Sequence, residues 1–132
     1  MPTIPSSCDV LVVGAGPAGS ACAQQLALAG VNPPLVDPHE CRRDNVCGDG
    51  LIPDAHTAFG RMGVYQEVMK HALRLPHLAC IAPRGGRVDV PGRLAVLPRM
   101  VLDDILRRAA IDDGVLVVEA RRVRTCRSRR RI

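Results

Sequence analysis

Residues 8–19 read CDVLVVGAGPAG, an apolar run that leads directly into a glycine-rich turn. Four consecutive apolar residues at positions 10–13 predict a strand that is buried on both faces, as at the centre of a parallel sheet. The G-x-G-x-x-G pattern that follows is typical of a turn that opens a helix and binds the phosphates of a dinucleotide through free backbone N–H groups. This stretch therefore predicts a strand, a phosphate-binding turn and a helix, in that order.

Each residue of the turn has its own physical reason to be there. We expect Gly14 to let the chain turn sharply off the strand and Gly16 to let the backbone approach a pyrophosphate. Gly19 is expected to let the helix pack closely on the strand. Pro17 suits the first helical turn because its missing N–H is not needed there. With Ala18, these residues form the predicted cofactor-binding turn.

The next predicted strand ends at an acid with the spacing that ribose binding requires. The helix is expected to run over 17–29 and to stop at Gly30, and the strand Leu35–Val36 comes directly before Asp37. Asp37 lies 23 residues beyond Gly14, close to the spacing expected for an acid that binds a ribose 2′-OH. The alternative is a glycine-rich turn with an unrelated surface acid.

A polar, turn-rich loop follows this acid and continues to about residue 53. Loops at the carboxyl ends of strands carry function in open α/β sheets. Arg42 and Arg43 are therefore candidates for contacts to phosphate or to the adenosine portion of a dinucleotide. For each of them the alternative is a solvated surface arginine.

The order of elements along the chain predicts the fold class. Later patterns predict helices over 53–60, 64–71 and 98–112, short antiparallel strands between 72 and 97, and a strand over 115–118. We expect an α/β, Rossmann-like domain with a parallel three-stranded core sheet and a small antiparallel insert. Further expectations concern single positions: Gly60 ends the first of these helices, Pro91-Gly92 forms a turn, and Asp103 and Asp104 face solvent.

The composition changes at the C-terminal end of the chain. Seven arginines fall within its last dozen residues: Arg121, Arg122, Arg124, Arg127, Arg129, Arg130 and Arg131. Subtracting their seven charges from the formal net charge of +5 leaves −2 for the rest. We expect residues 1–120 to form an incomplete domain and residues 121–132 to form an unstructured tail. A frameshift or truncation product, a solvated tail and a polyanion-binding arm all remain open.

Composition also excludes several classes of function. Aromatic residues are 2% of the chain, too few for stacking on bases, so no specific nucleic-acid partner is expected. No secretory signal and no run of about 18 apolar residues is present, which predicts a cytoplasmic protein without a transmembrane segment. The six cysteines are then expected to be reduced thiols. His39, Cys41 and Cys47 lack the spacing of zinc ligands, so no metal site is predicted.

A second motif carries a family resemblance. Residues 46–51 read VCGDGL and Pro53 follows closely. Together with the glycine turn and Asp37, this motif resembles the signature of the geranylgeranyl reductase family, within the FAD-dependent enzymes with a p-hydroxybenzoate-hydroxylase-like fold. Residues 97–106 are similar to the R-x-x-L-D-x-x-L helix start of that group, with Arg99 as its arginine. The resemblance spans about residues 9–118.

The resemblance implies a cofactor and its surroundings. FAD would lie with its pyrophosphate on the turn 14–19 and its ribose on Asp37, with Arg99 nearby. The loop made of Cys47, Gly48, Asp49 and Gly50 would line the isoalloxazine and the substrate, and it supplies the candidate catalytic residues without assigning a role to any one of them. Cys47 and Gly48 are also counted among the expected cofactor contacts.

The resemblance also implies a reaction. Reduced flavin would transfer a hydride to an isoprenoid C=C bond of an isoprenoid or lipid substrate, with peripheral membrane contact. Members of the family continue well beyond this length, so the chain is expected to be an N-terminal fragment that is inactive alone. The alternatives are a fragment of an FAD-dependent aromatic hydroxylase or halogenase, and an inactive nucleotide-binding fragment with a polyanion-binding tail.

Salt dependence distinguishes binding on the glycine turn from binding on the basic tail. We expect FAD affinity to change little between about 50 and 200 mM NaCl, whereas polyanion affinity through several arginines falls by orders of magnitude over that range. Parallel titrations with FAD and with heparin measure both slopes. A fall of FAD affinity as steep as that of heparin would place the dinucleotide on the tail.

Overall fold

The computed structural model describes residues 3–43, 47 and 49–127 and has one parallel and one antiparallel sheet. The elements in chain order are β1 (Val12–Val13), α1 (Pro17–Leu28), β2 (Leu35–Val36), β3 (Gly50–Leu51), α2 (Pro53–Arg61), α3 (Tyr65–His71), β4 (Leu73–Ile81), β5 (Arg87–Val96), α4 (Arg99–Asp112) and β6 (Val117–Val118). Among these residues, none of the helices has the length and apolar character that crossing a bilayer requires.

The parallel sheet has the strand order β1-β2-β6, which confirms the predicted three-stranded core. Val12 is in register with Leu35, and Leu35 is in register with Val117. Both residues of the central strand β2 are completely buried. On one face of the sheet, Val12 and Leu35 form a core cluster with Ala23 of α1 and Ala110 of α4.

The first strand differs from its prediction. Val12 is buried, but Val13 is 58% exposed, so the apolar run is not covered on both faces. In the described part of the chain β1 pairs with β2 alone and forms an edge of the sheet. Val36, which is in register with Val13, lies on the central strand and has neighbours on both sides. Lateral position in the sheet, which composition does not encode, explains the difference.

Helix α4 corrects the expectation for two acidic residues. Asp103 and Asp104 are buried, with 7% and 6% exposure, although both were expected to face solvent. Their carboxylates are neutralised by guanidinium groups: Asp103 by Arg99, and Asp104 by Arg107 among others. Burial of a carboxylate is tolerable only with such partners. The pairs with Arg99 and Arg107 lie within α4, whereas a further pair of Asp104 with Arg42 joins α4 to the segment after β2.

The antiparallel sheet has the order β3-β5-β4 and confirms the predicted insert. Pro91-Gly92 does not form a turn; both residues lie inside β5. The β4–β5 register shifts between Leu75 and His77. This irregularity accommodates Pro76, which has no N–H to donate to the neighbouring strand. Gly50–Leu51, which were expected to be loop, pair with Val96 and Ala95 as β3.

A second core cluster lies between this sheet and the helices. Its larger members come from β3, α2, α3 and α4, and from the segments next to these elements: Leu51, Phe59, Met62, Val64, Val68, Met69, Leu97, Leu102 and Leu106. Gly60 does not end α2 as predicted, because it lies within the helix, and the turn comes at Gly63 with φ +72°.

The close approach of α1 to β1 makes a stability prediction for Gly19. A Cβ added there would lie 1.8 Å from the carbonyl oxygen of Gly14, which is a backbone atom and not the end of a flexible side chain. We expect Gly19→Ala to lower the free energy of unfolding by about 2 kcal/mol or more. Chemical denaturation monitored by circular dichroism measures this loss.

Gly60→Ala is the matched control, because a Cβ at this helical position meets nothing within 4 Å. It should be neutral or stabilising, by at most about 1 kcal/mol. Equal effects of the two substitutions would show that α1 does not need its close approach to the sheet.

Candidate functional site

The glycine turn joins the carboxyl end of β1 to the start of α1. Gly14 has φ +101°, in the region that favours glycine, and its N–H donates to the carbonyl of Val36 at 2.8 Å. Gly16 is the N-cap of α1, and its carbonyl accepts from the N–H of Ser20 at 2.9 Å. The turn is thereby fixed to the sheet on one side and to the helix on the other.

The first turn of α1 leaves backbone donors free. A helix has no internal acceptors for its first N–H groups, which here belong to Ala18 and Gly19, since Pro17 has none. Ala18 is exposed and Gly19 is partly exposed. These amides and the positive end of the helix dipole are suited to bind an anion.

A guanidinium group lies beside the glycine turn. A Cβ placed on Gly16 would have Nη2 of Arg99 as a neighbour at 3.9 Å, so within the described part of the chain the Arg99 side chain lies next to the turn at this point. Backbone amides opposite an arginine suit the oxygens of a diphosphate. The donors present here therefore fit the diphosphate of a dinucleotide such as FAD, which was predicted from the sequence.

Arg99 is held in place from several directions. It is the first residue of α4, and its N–H donates to Oδ1 of Asp49 at 3.0 Å. Its Nε and Nη2 donate to the two carboxylate oxygens of Asp103 at 3.1 and 3.3 Å. Hydrogen bonds to Asp103, and then to Cys47, raise the pKa of Arg99, so its positive charge is fixed at any physiological pH. Such a preorganised cation is a suitable phosphate ligand.

The loop before β3 reaches the same place. The Cys47 thiol is exposed and lies 3.7 Å from Nη1 of Arg99. A hydrogen bond from the Asp49 backbone, and then the one from Arg99, lower the pKa of the Cys47 thiol. Gly48 lies outside the described residues. Gly50, the last member of the predicted loop, is already part of β3.

Asp49 has a structural task that the sequence did not reveal. Its carboxylate caps the start of α4 through the Arg99 N–H, and its carbonyl accepts from the N–H of Leu97 at 3.0 Å. Its backbone has φ +52°, an uncommon value for a residue with a side chain. These bonds fix the loop to α4 and hold Cys47 beside Arg99.

Asp37 lies at the end of β2 beside the glycine turn, with 5% exposure. Its Oδ2 accepts from the N–H of Ala15 at 2.7 Å, and its Oδ1 accepts from the N–H of His39 at 2.8 Å. Burial alone would raise the pKa of Asp37, but these two hydrogen bonds and the charge of Arg43 outweigh it and lower the pKa. The carboxylate is therefore ionised and joins the turn to the loop after β2.

The two arginines of this loop have different partners, although the same contacts to phosphate or adenosine were predicted for both. Nη1 of Arg43 lies 3.4 Å from Oδ1 of Asp37 and makes a close contact with Nδ1 of His39. Arg42 turns the other way and donates through Nε and Nη2 to Oδ2 of Asp104, at 3.2 and 3.1 Å. Only Arg43 is thus directed to the acid that was expected to bind ribose.

Sequence reasoning missed three contributors from the C-terminal part of the chain. Asp104, Arg107 and Glu119 surround the loop after β2, and the last two line a cleft between this loop and the glycine turn. The spacing of Asp104 with Arg107 and Arg108 was a readable signal for ion pairs. Across the described residues, no group of side chains could hold a metal ion.

Comparisons with known proteins bear on the family and the fold of this chain. The sequence profile of a family described as FAD binding domain matches residues 7–130. Menaquinone reductase of Mycolicibacterium smegmatis is 38% identical over 117 residues, which are 80% of this chain and 27% of that protein. Digeranylgeranylglycerophospholipid reductase 2 of Methanopyrus kandleri is 34% identical over 118 residues, which are 86% of this chain and 29% of that protein.

A solved structure shows the same fold. The myxobacterial chondrochloren halogenase, described as a new variant of FAD-dependent halogenases, superposes with a TM-score of 0.75 at 24% identity. The match covers 88% of this chain and 29% of that one. The chain thus spans less than a third of the length of the curated relatives that it matches.

The environment of Asp37 predicts a pH dependence of stability. The pKa values of Asp37 and Asp104 are lowered in the folded state. Their contribution is therefore present above the ordinary carboxyl pKa of about 4 and is lost as the pH falls through the folded-state values. Asp37→Asn should remove part of this slope and lower the free energy of unfolding at pH 7 by about 1–2 kcal/mol.

Urea denaturation at a series of pH values from about 7 to 3 provides the measurement. Asp9→Asn is the control, because Asp9 is exposed near the start of the chain. An Asp37→Asn profile parallel to that of the unsubstituted protein would mean that this carboxylate is not stabilised by its neighbours.

Proposed function

The chain belongs to the FAD binding domain family, and from that membership we propose that it is the FAD-binding part of a reductase of isoprenoid C=C bonds, of the geranylgeranyl reductase type. The observation that carries the cofactor part is the glycine turn with the Arg99 guanidinium beside it. That the chain is an FAD-binding portion of a flavin-dependent oxidoreductase follows from the family and from its relatives.

The proposed binding mode uses the chain from the turn outward. Gly14, Gly16, Pro17, Ala18 and Gly19 form the surface for the diphosphate, which receives N–H groups from the start of α1. Asp37 accepts hydrogen bonds from the ribose hydroxyls of the adenosine end. Arg99 neutralises charge on the diphosphate from the opposite side.

The two loop arginines take different parts in this proposal. Arg43, which lies beside Asp37, contacts the adenosine end. Arg42 acts on the same end indirectly, through its ion pair with Asp104.

The chemistry proposed for the other end of the cofactor concerns the loop before β3. FAD, when bound and reduced, supplies a hydride. The loop of Cys47, Gly48, Asp49 and Gly50 would line the isoalloxazine and the substrate. Within it, Asp49 orients the loop. The Cys47 thiol lies beside Arg99, and its pKa is lowered.

The substrate class rests on the relatives and on the VCGDGL motif at 46–51. One relative is named for menaquinone and another for a digeranylgeranyl lipid, which contains an isoprenoid chain. We infer that this chain serves an apolar, isoprenoid or lipid substrate reached at a membrane surface by a cytoplasmic protein. The likeness to a halogenase is one of fold and carries no second candidate function.

The division of the chain is part of the same proposal. Residues 1–120 would form the FAD-binding unit, and residues 121–132 would form a separate arginine-rich tail. At the junction, the N–H of Arg121 donates to the carbonyl of Asp37 at 3.0 Å, so this boundary lies beside the proposed site. Arg129, Arg130 and Arg131 lie outside the described residues.

Gly16→Val tests the binding mode. The added side chain would lie next to the Arg99 guanidinium, where the diphosphate is proposed to bind, so we expect FAD affinity to fall by about tenfold or more while the fold is kept. Quenching of flavin fluorescence during titration measures the affinity, and circular dichroism reports the fold.

Gly86→Val is the matched control, because a Cβ at Gly86, in the β4–β5 turn, makes only an ordinary contact of 3.7 Å with Ala82. It should bind FAD like the unsubstituted chain. Undiminished flavin binding by Gly16→Val would contradict a diphosphate on this turn.

A further inference from the structure

The loop after β2, defined here as residues 38–43, contains an unfavourable backbone conformation. Arg42 has φ +66°, in the left-handed region that residues with a side chain rarely adopt. Strain of this kind persists only where the surroundings impose it, and it is found often at binding sites. Something outside the loop must therefore hold Arg42 in this conformation.

The restraint is the carboxylate of Asp104. Arg42 donates to its Oδ2 from Nε and Nη2 at 3.2 and 3.1 Å, although the Arg42 side chain is otherwise 65% exposed. The Asp104 side chain is only 9% exposed. Arg107 and Arg108 bind the same carboxylate at 3.1 and 2.9 Å. Arg107, whose side chain is only 18% exposed, fixes the carboxylate within α4, whereas the Arg108 side chain is 61% exposed.

A second carboxylate holds the neighbouring residue. The N–H of Cys41 donates to Oε1 of Glu119 at 3.1 Å, and its thiol lies 3.7 Å from Oδ1 of Asp104. Asp37 contacts the loop near its start, through the N–H of His39, and at its last residue, Arg43. The loop is thus held by the proposed ribose ligand at both ends, and by Glu119 and Asp104 at Cys41 and Arg42.

We propose that Asp104 is a positioning residue for the cofactor, which acts through Arg42 to hold the loop 38–43 in the shape that receives the adenosine end of FAD. This inference rests on the proposed function, since it assumes that Asp37 binds the ribose. It assigns Arg42 to an ion pair with Asp104 and not to a contact with a phosphate. It also explains why Asp104 is buried although it was expected on the solvent side of α4.

Substitutions at both ends of the ion pair test the proposal. Asp104→Asn keeps the shape of the side chain and removes its charge, and Arg42→Gln removes the guanidinium. Each is expected to weaken FAD binding by about tenfold, and the double variant should be no weaker than either single variant, because both act through one contact. Flavin fluorescence titration gives the dissociation constants, and competition by ADP should weaken by the same factor as FAD binding.

Arg108→Gln is the matched control for a merely structural role. It removes an ion pair with the same carboxylate but does not touch the loop. We expect its FAD affinity to stay within about twofold of the unsubstituted chain, even where its melting temperature falls as much as that of Asp104→Asn.

The outcomes separate this inference from the proposed function. Unchanged FAD affinity in Asp104→Asn, or independent losses in the two single variants that multiply in the double variant, would overturn the positioning role while FAD binding by the unsubstituted chain stands. Equal losses in Arg108→Gln and Asp104→Asn would reduce Asp104 to a stabilising residue and overturn it as well. Failure of the unsubstituted chain to bind FAD would overturn the proposed function and this inference together.

Discussion

The close contact between α1 and β1 is the constraint on which the site depends. Gly19 brings the helix so near the strand that a single added carbon would collide with the carbonyl of Gly14. This contact places the unpaired amides at the start of α1 beside the carboxyl end of β1. Without it, neither the position of Gly16 nor its distance from Arg99 would be defined. Packing between two backbone segments thus creates the proposed anion-binding surface, and no charged residue of the turn is needed.

Helix α4 organises everything that faces this surface. Its first residue, Arg99, is oriented by Asp103 one turn later and by Asp49 from the loop before β3. The next residue, Asp104, reaches the loop after β2. Two loops that are distant in sequence are therefore attached to one rigid element. Buried carboxylates need neutralising partners, and here those partners are the arginines that surround the cofactor site, so the stability of α4 and the shape of the site are coupled.

The same organisation relates the chain to the flavoenzymes that it resembles. The profile match shows the FAD binding domain family, and the superposition on a halogenase shows that the fold is shared by enzymes with other chemistry. Relatives named as reductases match over most of this chain but extend well beyond it. The part in common is the FAD-binding portion, and the diphosphate, ribose and loop contacts are our proposal for how this chain binds the cofactor.

The local sequence pattern predicted most of the helices and strands, but it did not predict which residues of different elements contact one another. The apolar run at 10–13, the glycine spacing and the acid at Asp37 predicted strand, turn, helix and ribose ligand, because each signal depends on residues close in sequence. The exposure of Val13, the burial of Asp104 and the different partners of Arg42 and Arg43 were decided only by the tertiary structure. These features depend on which strand lies at an edge and on which carboxylate meets a given arginine. Such contacts join residues as much as 62 positions apart, and no period in the sequence encodes them.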